Sequence, residues 1–164
     1  MRAIALNHVS IPAADMEESV RFYKECFGME EIPAPRFGFG RPVRWLTLGD
    51  LQLHLFQREA PAPEFHHIGI NVDDFHAAYD KVKELGIADD SAFFSHIYEL
   101  PDGSVQMYIR DPAGNLVEID WPDVSTLDRS RIRELKKLDD DVQQTGAALQ
   151  ATLYLPRREH AEVG

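Results

Sequence analysis

Cysteine is almost absent from this chain, which contains only Cys26 among its 164 residues. A single thiol excludes an internal disulfide framework and a zinc site built from cysteines, and it is typical of a reducing compartment. Positive charge is also scarce, since 17 Lys and Arg face 28 Asp and Glu, for a formal net charge of −11. This balance disfavours nucleic acid and anionic membrane surfaces as partners, because both require clustered Lys and Arg.

Long hydrophobic runs are missing as well. No apolar stretch approaches the roughly 20 residues of a membrane-spanning helix, and the first residues turn polar before a signal-peptide core can form. We therefore expect a cytoplasmic protein with no membrane partner. A hydrophobic content of 44% in 164 residues is enough for one compact domain or for two small modules that share a core.

The sequence does contain an internal repeat. Residues 7–11 align with residues 66–70 at an offset of 59. In each copy a short alternating strand leads into an amphipathic helix that begins after an aspartate and ends at a glycine. The two helices are predicted over residues 16–27 and 75–85. Each copy therefore opens with a strand followed by a helix.

Strand-like segments follow both helices. They cover residues 43–48 and 51–57 in the first copy, and residues 93–100, 105–110 and 116–121 in the second. The irregular stretch over residues 31–42, which is rich in proline and glycine, must supply the missing strand of the first copy. The sequence therefore predicts an α+β fold of two β-α-β-β-β modules, at about 4–58 and 65–121, in a domain spanning residues 1–121.

Each module offers two polar side chains on the face opposite its apolar layer. Because side chains alternate along a strand, His54 points away from the leucines beside it, and Glu118 points away from its own apolar neighbours. His8 and His67 stand out from the first strands in the same way. Any one histidine taken alone is commonly a surface or core residue, but their equivalent positions in two copies favour a site. Two imidazoles and a carboxylate suit Fe, Mn, Ni, Co or Zn, and leave positions open for a substrate.

Four motifs of the chain together resemble the vicinal oxygen chelate superfamily, which includes glyoxalase I, extradiol dioxygenases, fosfomycin-resistance thiol transferases, epimerases and bleomycin-resistance proteins. They are NHVSI at 7–11, SVRFY at 19–23 before Phe27 and Gly28, HIGINVDD at 67–74 and DPAGNLVE at 111–118. The resemblance covers roughly residues 4–121. It implies that the modules form a cup-shaped mixed sheet and that His8, His67 and Glu118 bind a divalent metal. It also implies a small-molecule substrate with vicinal oxygens, and a homodimer.

Within this resemblance, two residues favour an extradiol dioxygenase that uses Fe(II) or Mn(II). Such enzymes carry a tyrosine ten residues before the metal glutamate, and Tyr108 stands ten residues before Glu118. They also use a histidine base near the position of His54, whose imidazole titrates near neutral pH. We therefore predict His54 and Tyr108 as catalytic, with His54 as an alternative fourth metal ligand. A glyoxalase-like lyase or isomerase, a thiol transferase and a metal-free binding protein of the bleomycin-resistance type stay open.

Residues 122–164 lie outside the resemblance and are predicted to be a helical extension. A capping-box pattern begins at Ser125, and an apolar stripe follows that predicts a helix to about residue 144. The stripe consists of Leu127, Ile132, Leu135, Leu138 and Val142. A shorter helical run is expected over residues 147–154, before a frayed tail. The stripe should pack on its own domain or on a twin subunit.

Overall fold

The computed structural model of the protein describes residues 6–35, 38, 40–61, 63, 65–89, 91–92 and 97–155. These residues form two mixed sheets, one in each module, with one helix to each sheet and a C-terminal segment that returns to the second sheet. No helix in these ranges has both the length and the apolar character needed to cross a membrane.

The order of the elements confirms the predicted α+β repeat. The first module contains β1 (His8–Ala13), α1 (Met16–Phe27), β2 (Glu30–Ile32), β3 (Val43–Leu48) and β4 (Leu51–Gln57). The second contains β5 (His67–Asn71), α2 (Phe75–Leu85), β6 (Ile97–Glu99), β7 (Val105–Arg110) and β8 (Leu116–Trp121). The first four residues of the strand predicted over 93–100 lie outside the described residues. The C-terminal segment adds β9 (Leu135–Lys137) and α3 (Leu138–Asp141).

Both sheets follow the same topology. Their strand orders are β1-β4-β3-β2 and β5-β8-β7-β6-β9. In each, the first strand of the module pairs parallel with the last strand, and the remaining strands of the module pair antiparallel. A parallel pair needs a crossover connection, and the helix after each first strand begins that connection. The repeat in the sequence is therefore a repeat of strand pairing.

The two helices begin and end through the same local chemistry. The side chain of Asp15 accepts a hydrogen bond from a backbone N–H of the first turn of α1, and Asp74 does the same at α2. Gly28 and Gly86 end the helices in the left-handed region, with φ of 62° and 64°. The predicted bounds of both helices are confirmed. They could be read from the sequence because these capping signals are local.

One apolar core joins the modules, and buried hydrogen bonds cross between them. The Tyr23 hydroxyl donates to Asp111 Oδ2 at 2.9 Å, and the Asn115 amide donates to the Pro12 carbonyl at 2.8 Å. Backbone N–H groups of the turn after β7 also donate to Asp111 Oδ1. Burial and the adjacent Asp111 charge raise the pKa of Tyr23 well above its ordinary value. The DPAGN motif thus anchors the second module on helix α1.

The long helix predicted to run from residue 127 to about 144 is wrong. The chain forms short 3-10 helices at Val124–Thr126 and Arg129–Arg131, and then β9 and α3. The side chains of Asp123 and Asp128 accept backbone N–H groups two residues on, and such bonds compete with a continuing helix. Pairing of β9 with β6 satisfies the next backbone groups. Leu127 and Ile132 are nevertheless buried in the core. The apolar pattern therefore identified buried residues correctly, although these residues do not lie on one helix.

The remaining C-terminal prediction is only partly met. A 3-10 helix covers Gly146–Gln150, where the sequence predicted a helical run over residues 147–154. The tail predicted to be frayed lies outside the described residues.

Glu134 ties the C-terminal segment to α2 and generates a pH-dependent prediction. The Lys83 ammonium donates to Oε1 and the Tyr79 hydroxyl to Oε2, both at 2.6 Å. These two bonds lower the pKa of Glu134 from 4.5 to about 2. Because the folded pKa is depressed, the stabilisation is present above pH 4.5 and disappears as the pH falls towards 2.

Glu134→Gln should lower the free energy of unfolding at pH 7 by about 0.5–1 kcal/mol, since the ion pair is partly exposed. The loss should shrink at pH 3, and urea denaturation at both pH values measures it. Glu84→Gln is the matched control, because its ion pair with Lys81 is exposed and spans 3.3 Å. Equal losses for Glu134→Gln at the two pH values would contradict the assignment.

Candidate functional site

Strand register gathers the polar residues of the second sheet on one face. Tyr108 lies opposite Glu118 and Gln106 lies opposite Asp120 across the antiparallel β7–β8 pair. Gly69 pairs with Glu118 across the parallel β5–β8 pair. The alternate residues of β8 point the other way and lie in the apolar core. The alternation predicted from the sequence therefore separates a polar face from the core.

Glu118 is the centre of this polar face. Its Oε2 accepts the Tyr108 hydroxyl at 2.7 Å and lies 2.9 Å from His67 Nε2. Its Oε1 accepts the Gln106 amide at 2.8 Å. The Glu118 side chain is only 5% exposed, so these polar neighbours replace the water that the carboxylate loses on folding. Burial, followed by the bond to Glu118, raises the pKa of Tyr108 and keeps its hydroxyl protonated.

A second carboxyl group, Asp120, is buried beside Glu118. Burial is the largest cause that raises the pKa of Asp120, and the Glu118 carboxylate raises it further. Asp120 Oδ1 is buried without a hydrogen-bond partner among the described residues, and a carboxyl group in such surroundings favours its neutral form. Gly69 leaves room for this group, since a Cβ there would come within 3.1 Å of Asp120 Oδ2.

The sequence analysis missed Asp120 and Gln106. The alternation that selected Glu118 and Tyr108 could have identified both. Asp120 lies two residues from Glu118 and Gln106 two residues from Tyr108, so each shares a face of its strand with a selected residue. The absence of an equivalent carboxylate in the first module hid Asp120, since repeat symmetry was the main criterion. Gln106 was hidden because an amide is neither a metal ligand of the expected kind nor a base.

The first module holds its two histidines in a ring stack. His54 lies between His8 and Trp45, with ring centroids 4.3 and 4.2 Å apart and interplanar angles of 15° and 4°. His54 Nε2 lies 2.9 Å from the Gln52 amide oxygen, a contact that favours the neutral tautomer in which Nε2 donates and Nδ1 keeps its lone pair. Burial, followed by the charge of His8, lowers the pKa of His54 and favours that neutral form.

The four predicted ligands thus come together two by two, His8 with His54 and His67 with Glu118. Each pair fits the donor chemistry of a borderline divalent ion, and the nitrogen and oxygen of the second pair converge to 2.9 Å. Across the ranges that the structure describes, no group of three or more His, Cys, Asp and Glu is placed to hold a metal. A centre that combines both pairs stays a prediction, as do the catalytic roles of His54 and Tyr108.

The sequence is similar to a known protein family and to two named enzymes. Residues 5–119 match the model of the Glyoxalase/Bleomycin resistance protein/Dioxygenase superfamily. An ethylmalonyl-CoA/methylmalonyl-CoA epimerase of Cereibacter sphaeroides is 32% identical over 94 residues, which are 49% of this chain and 70% of that protein. Glyoxylase I 4 of Arabidopsis thaliana is 26% identical over 127 residues, 70% of this chain and 69% of that protein.

Solved structures show the same fold. A glyoxalase family protein from Bacillus anthracis is 26% identical, with a TM-score of 0.55 over 73% of this chain and 98% of that chain. The fosfomycin resistance protein FosX from Mesorhizobium loti is 20% identical, with a TM-score of 0.55 over 80% and 99%. The family match ends at residue 119, so Asp120 and the whole C-terminal segment lie beyond it.

The environment of Gln106 predicts a charge effect. Gln106→Met removes the amide that donates to Glu118, and should lower the free energy of unfolding by about 1 kcal/mol. Gln106→Glu keeps nearly the shape of the wild-type side chain but adds a third carboxyl group beside Glu118 and Asp120. It should lower the free energy of unfolding by a further amount on the order of 1–3 kcal/mol. Urea denaturation of both variants at pH 7 provides the measurement. If the two variants are equally stable, Gln106 is not held against the buried carboxyl groups.

Proposed function

The chain belongs to the Glyoxalase/Bleomycin resistance protein/Dioxygenase superfamily, and from that premise we propose that it is a divalent-metal-dependent enzyme acting on a small substrate with two neighbouring oxygens. His8, His67 and Glu118 would hold the metal. When bound, the metal supplies stabilisation of the negative charge that develops on the substrate oxygens. The observation that carries the proposal is the convergence to 2.9 Å of His67 Nε2, on a partly exposed side chain, and Glu118 Oε2, on a buried one.

We further propose that two copies of the chain complete each centre. His8 and His67 lie on β1 and β5, and each of these is the terminal strand of its sheet. A terminal strand presents unpaired backbone groups, which favours association along that edge. Joining β1 of one copy to β5 of another would bring the His8–His54 pair towards the His67–Glu118 pair. This arrangement requires the homodimer that the family resemblance implies, and it would account for ligands that pair within one chain.

The reaction that these residues support best is proton transfer at a carbon next to one of the two substrate oxygens, as in an epimerase or a lyase of the glyoxalase type. A metal held by His8, His67 and Glu118 would stabilise the negative charge that develops on those oxygens. His54 is the base in this proposal, because the stack fixes its ring and Nε2 is bonded to Gln52, which leaves Nδ1 to take the proton. Tyr108 and Gln106 hold Glu118 in place. The epimerase relative supports the same reaction class.

A ring-cleaving dioxygenase with Fe(II) or Mn(II) is the second candidate. The Tyr108 hydroxyl lies 2.7 Å from Glu118 Oε2, which supports the expected pairing of these two residues. In this candidate His54 would take the proton of a catechol hydroxyl, and Tyr108 would orient Glu118, one of the residues that would hold Fe(II) or Mn(II). The two candidates differ in one requirement, since only the dioxygenase consumes O₂.

Metal content tests the proposal directly. Protein purified without chelators should contain about one Fe, Mn, Ni, Co or Zn per site by elemental analysis, in line with an open site of two histidines and one carboxylate. Glu118→Ala should lose most of this metal, whereas Glu84→Ala, on the exposed side of α2, should retain it. No metal in the wild-type protein, even after reconstitution, would overturn the proposal and leave a metal-free binding protein.

Two assays then separate the reaction classes. Deuterium incorporation into methylmalonyl-CoA, the substrate that names one relative, reports proton abstraction, and oxygen uptake with a panel of catechols reports ring cleavage. We expect deuterium incorporation that falls at least 100-fold in His54→Ala, in keeping with the usual contribution of a general base. Oxygen uptake without deuterium incorporation would establish the dioxygenase instead.

Mixing two inactive variants tests whether the centre is shared. In a dimer of His54→Ala with Glu118→Ala, one centre carries both substitutions and the other carries neither. Random exchange of subunits makes half of the dimers mixed, with one intact centre in each, and should therefore restore about one quarter of wild-type activity, as the symmetry of a two-fold dimer dictates. A mixture that stays as inactive as its components, with exchange verified by mass spectrometry, would contradict a shared centre.

A further inference from the structure

The C-terminal segment crosses the end of the polar face that carries Glu118. Asn71, Asp120, Gln106 and Tyr98 are register neighbours and form one row across the second sheet. We call residues 141–155 the strap, because the segment is anchored at both ends of this row. At one end Asp141 accepts the Tyr98 hydroxyl at 2.6 Å, and at the other Asn71 accepts the Tyr154 hydroxyl at 2.5 Å.

A third anchor fixes the path between these ends. The backbone N–H of Leu153 donates to Asp102 Oδ2 at 3.2 Å, in the turn between β6 and β7. The strap therefore passes along the end of the sheet, from β6 beside the β9 edge to the β5 edge. None of its residues belongs to the part of the chain that matches the family model, so it is an addition to the shared fold.

Tyr154 extends the strap towards the buried carboxyl groups. Burial of its ring, followed by the charges of Asp120, Asp102 and Glu118, raises the pKa of Tyr154 to about 12. Its hydroxyl is thus protonated at neutral pH, and it donates to Asn71 at the end of the Asp120 row. The strap and the carboxyl groups of the polar face are parts of one electrostatic environment.

A groove of about 660 Å³ lies between the strap and the ends of β5 and β8. Its walls are residues 71–73, Trp121 and Pro122 on the sheet side, and Leu153, Tyr154 and Leu155 on the strap side. Leu153 is 44% exposed and Leu155 is 78% exposed, so the strap presents apolar surface beside the groove. Such surface gains free energy when a ligand removes it from water. The groove also begins at Asn71, the residue that ends the Asp120 row.

We propose that the strap is a specificity-determining wall of the substrate cleft, and that the groove receives an alkyl or aromatic substituent of a substrate whose two oxygens lie towards Glu118. The position of the oxygens rests on the proposed function, whereas the groove and its apolar wall do not. The substrate class is thereby narrowed to small molecules that combine neighbouring oxygens with an apolar tail. Tyr154 is a positioning residue, because it orders the wall through Asn71.

Acetohydroxamate and octanohydroxamate are the probes for the full site, because both carry two neighbouring oxygens and they differ only in alkyl chain length. Calorimetry with the Mn(II)-loaded protein should show octanohydroxamate binding about tenfold more tightly or better, from burial of its chain. The double variant Leu153→Ser, Leu155→Ser should bind both probes equally, and Tyr154→Phe should lose most of the preference. Tyr79→Phe is the matched control, since it removes a tyrosine–carboxylate bond on α2, and it should keep the full preference.

A metal-free measurement tests the groove independently of the metal centre. The chain has two tryptophans, so Trp45→Phe leaves Trp121 in the groove wall as the sole tryptophan. Octanoate added to this protein without metal should shift the Trp121 emission, and the two serine substitutions should abolish the shift. If metal and acetohydroxamate fail to bind but the octanoate response persists, the proposed function fails and the groove stands. If acetohydroxamate binds without any chain-length preference or octanoate response, the strap proposal is overturned alone.

Discussion

The parallel pairing of the first strand of each module with its last strand is the constraint on which the site depends. This pairing sets residues from opposite ends of a module side by side, so that β5 brings His67 and Gly69 next to Leu116 and Glu118. The helices begin the crossover, and their aspartate and glycine caps fix where each helix starts and ends. A shift of the register by one residue would turn Glu118 into the core and a valine or isoleucine onto the polar face.

Burying the polar face costs the folded state free energy that a small domain can offset only with difficulty. Two carboxyl groups with less than a tenth of their surface exposed lie side by side, and an amide, a phenol and an imidazole surround them. An apolar cluster of similar volume would commonly be at least as stable, because buried charges lose their hydration. The arrangement therefore points to a use beyond stability, and the proposed divalent metal would be one such use.

The sequence was sufficient wherever the determining signals are local. Both helices, and the order of strands after them, follow from caps, alternation and turns within a few residues. The C-terminal segment did not follow, because its apolar residues are buried by distant contacts and its aspartates close short turns where a stripe predicted a helix. The pairing of His8 with His54 and of His67 with Glu118 was predictable from the repeat. Whether the two pairs meet was not, since the relative placement of two modules depends on core packing and on bonds such as Tyr23 to Asp111.

The strap also breaks the symmetry that the repeat establishes. The two modules share one strand topology, but the strap has no counterpart among the described residues of the first module. The strap runs along the second module only, and its hydroxyl and leucines lie on one side of the carboxyl groups. A flat substrate held against the polar face in the proposed cleft would therefore have the strap on one side only. If the proposed substrate cleft is correct, any preference for one stereoisomer would depend on the fifteen residues of the strap, which lie beyond the family match.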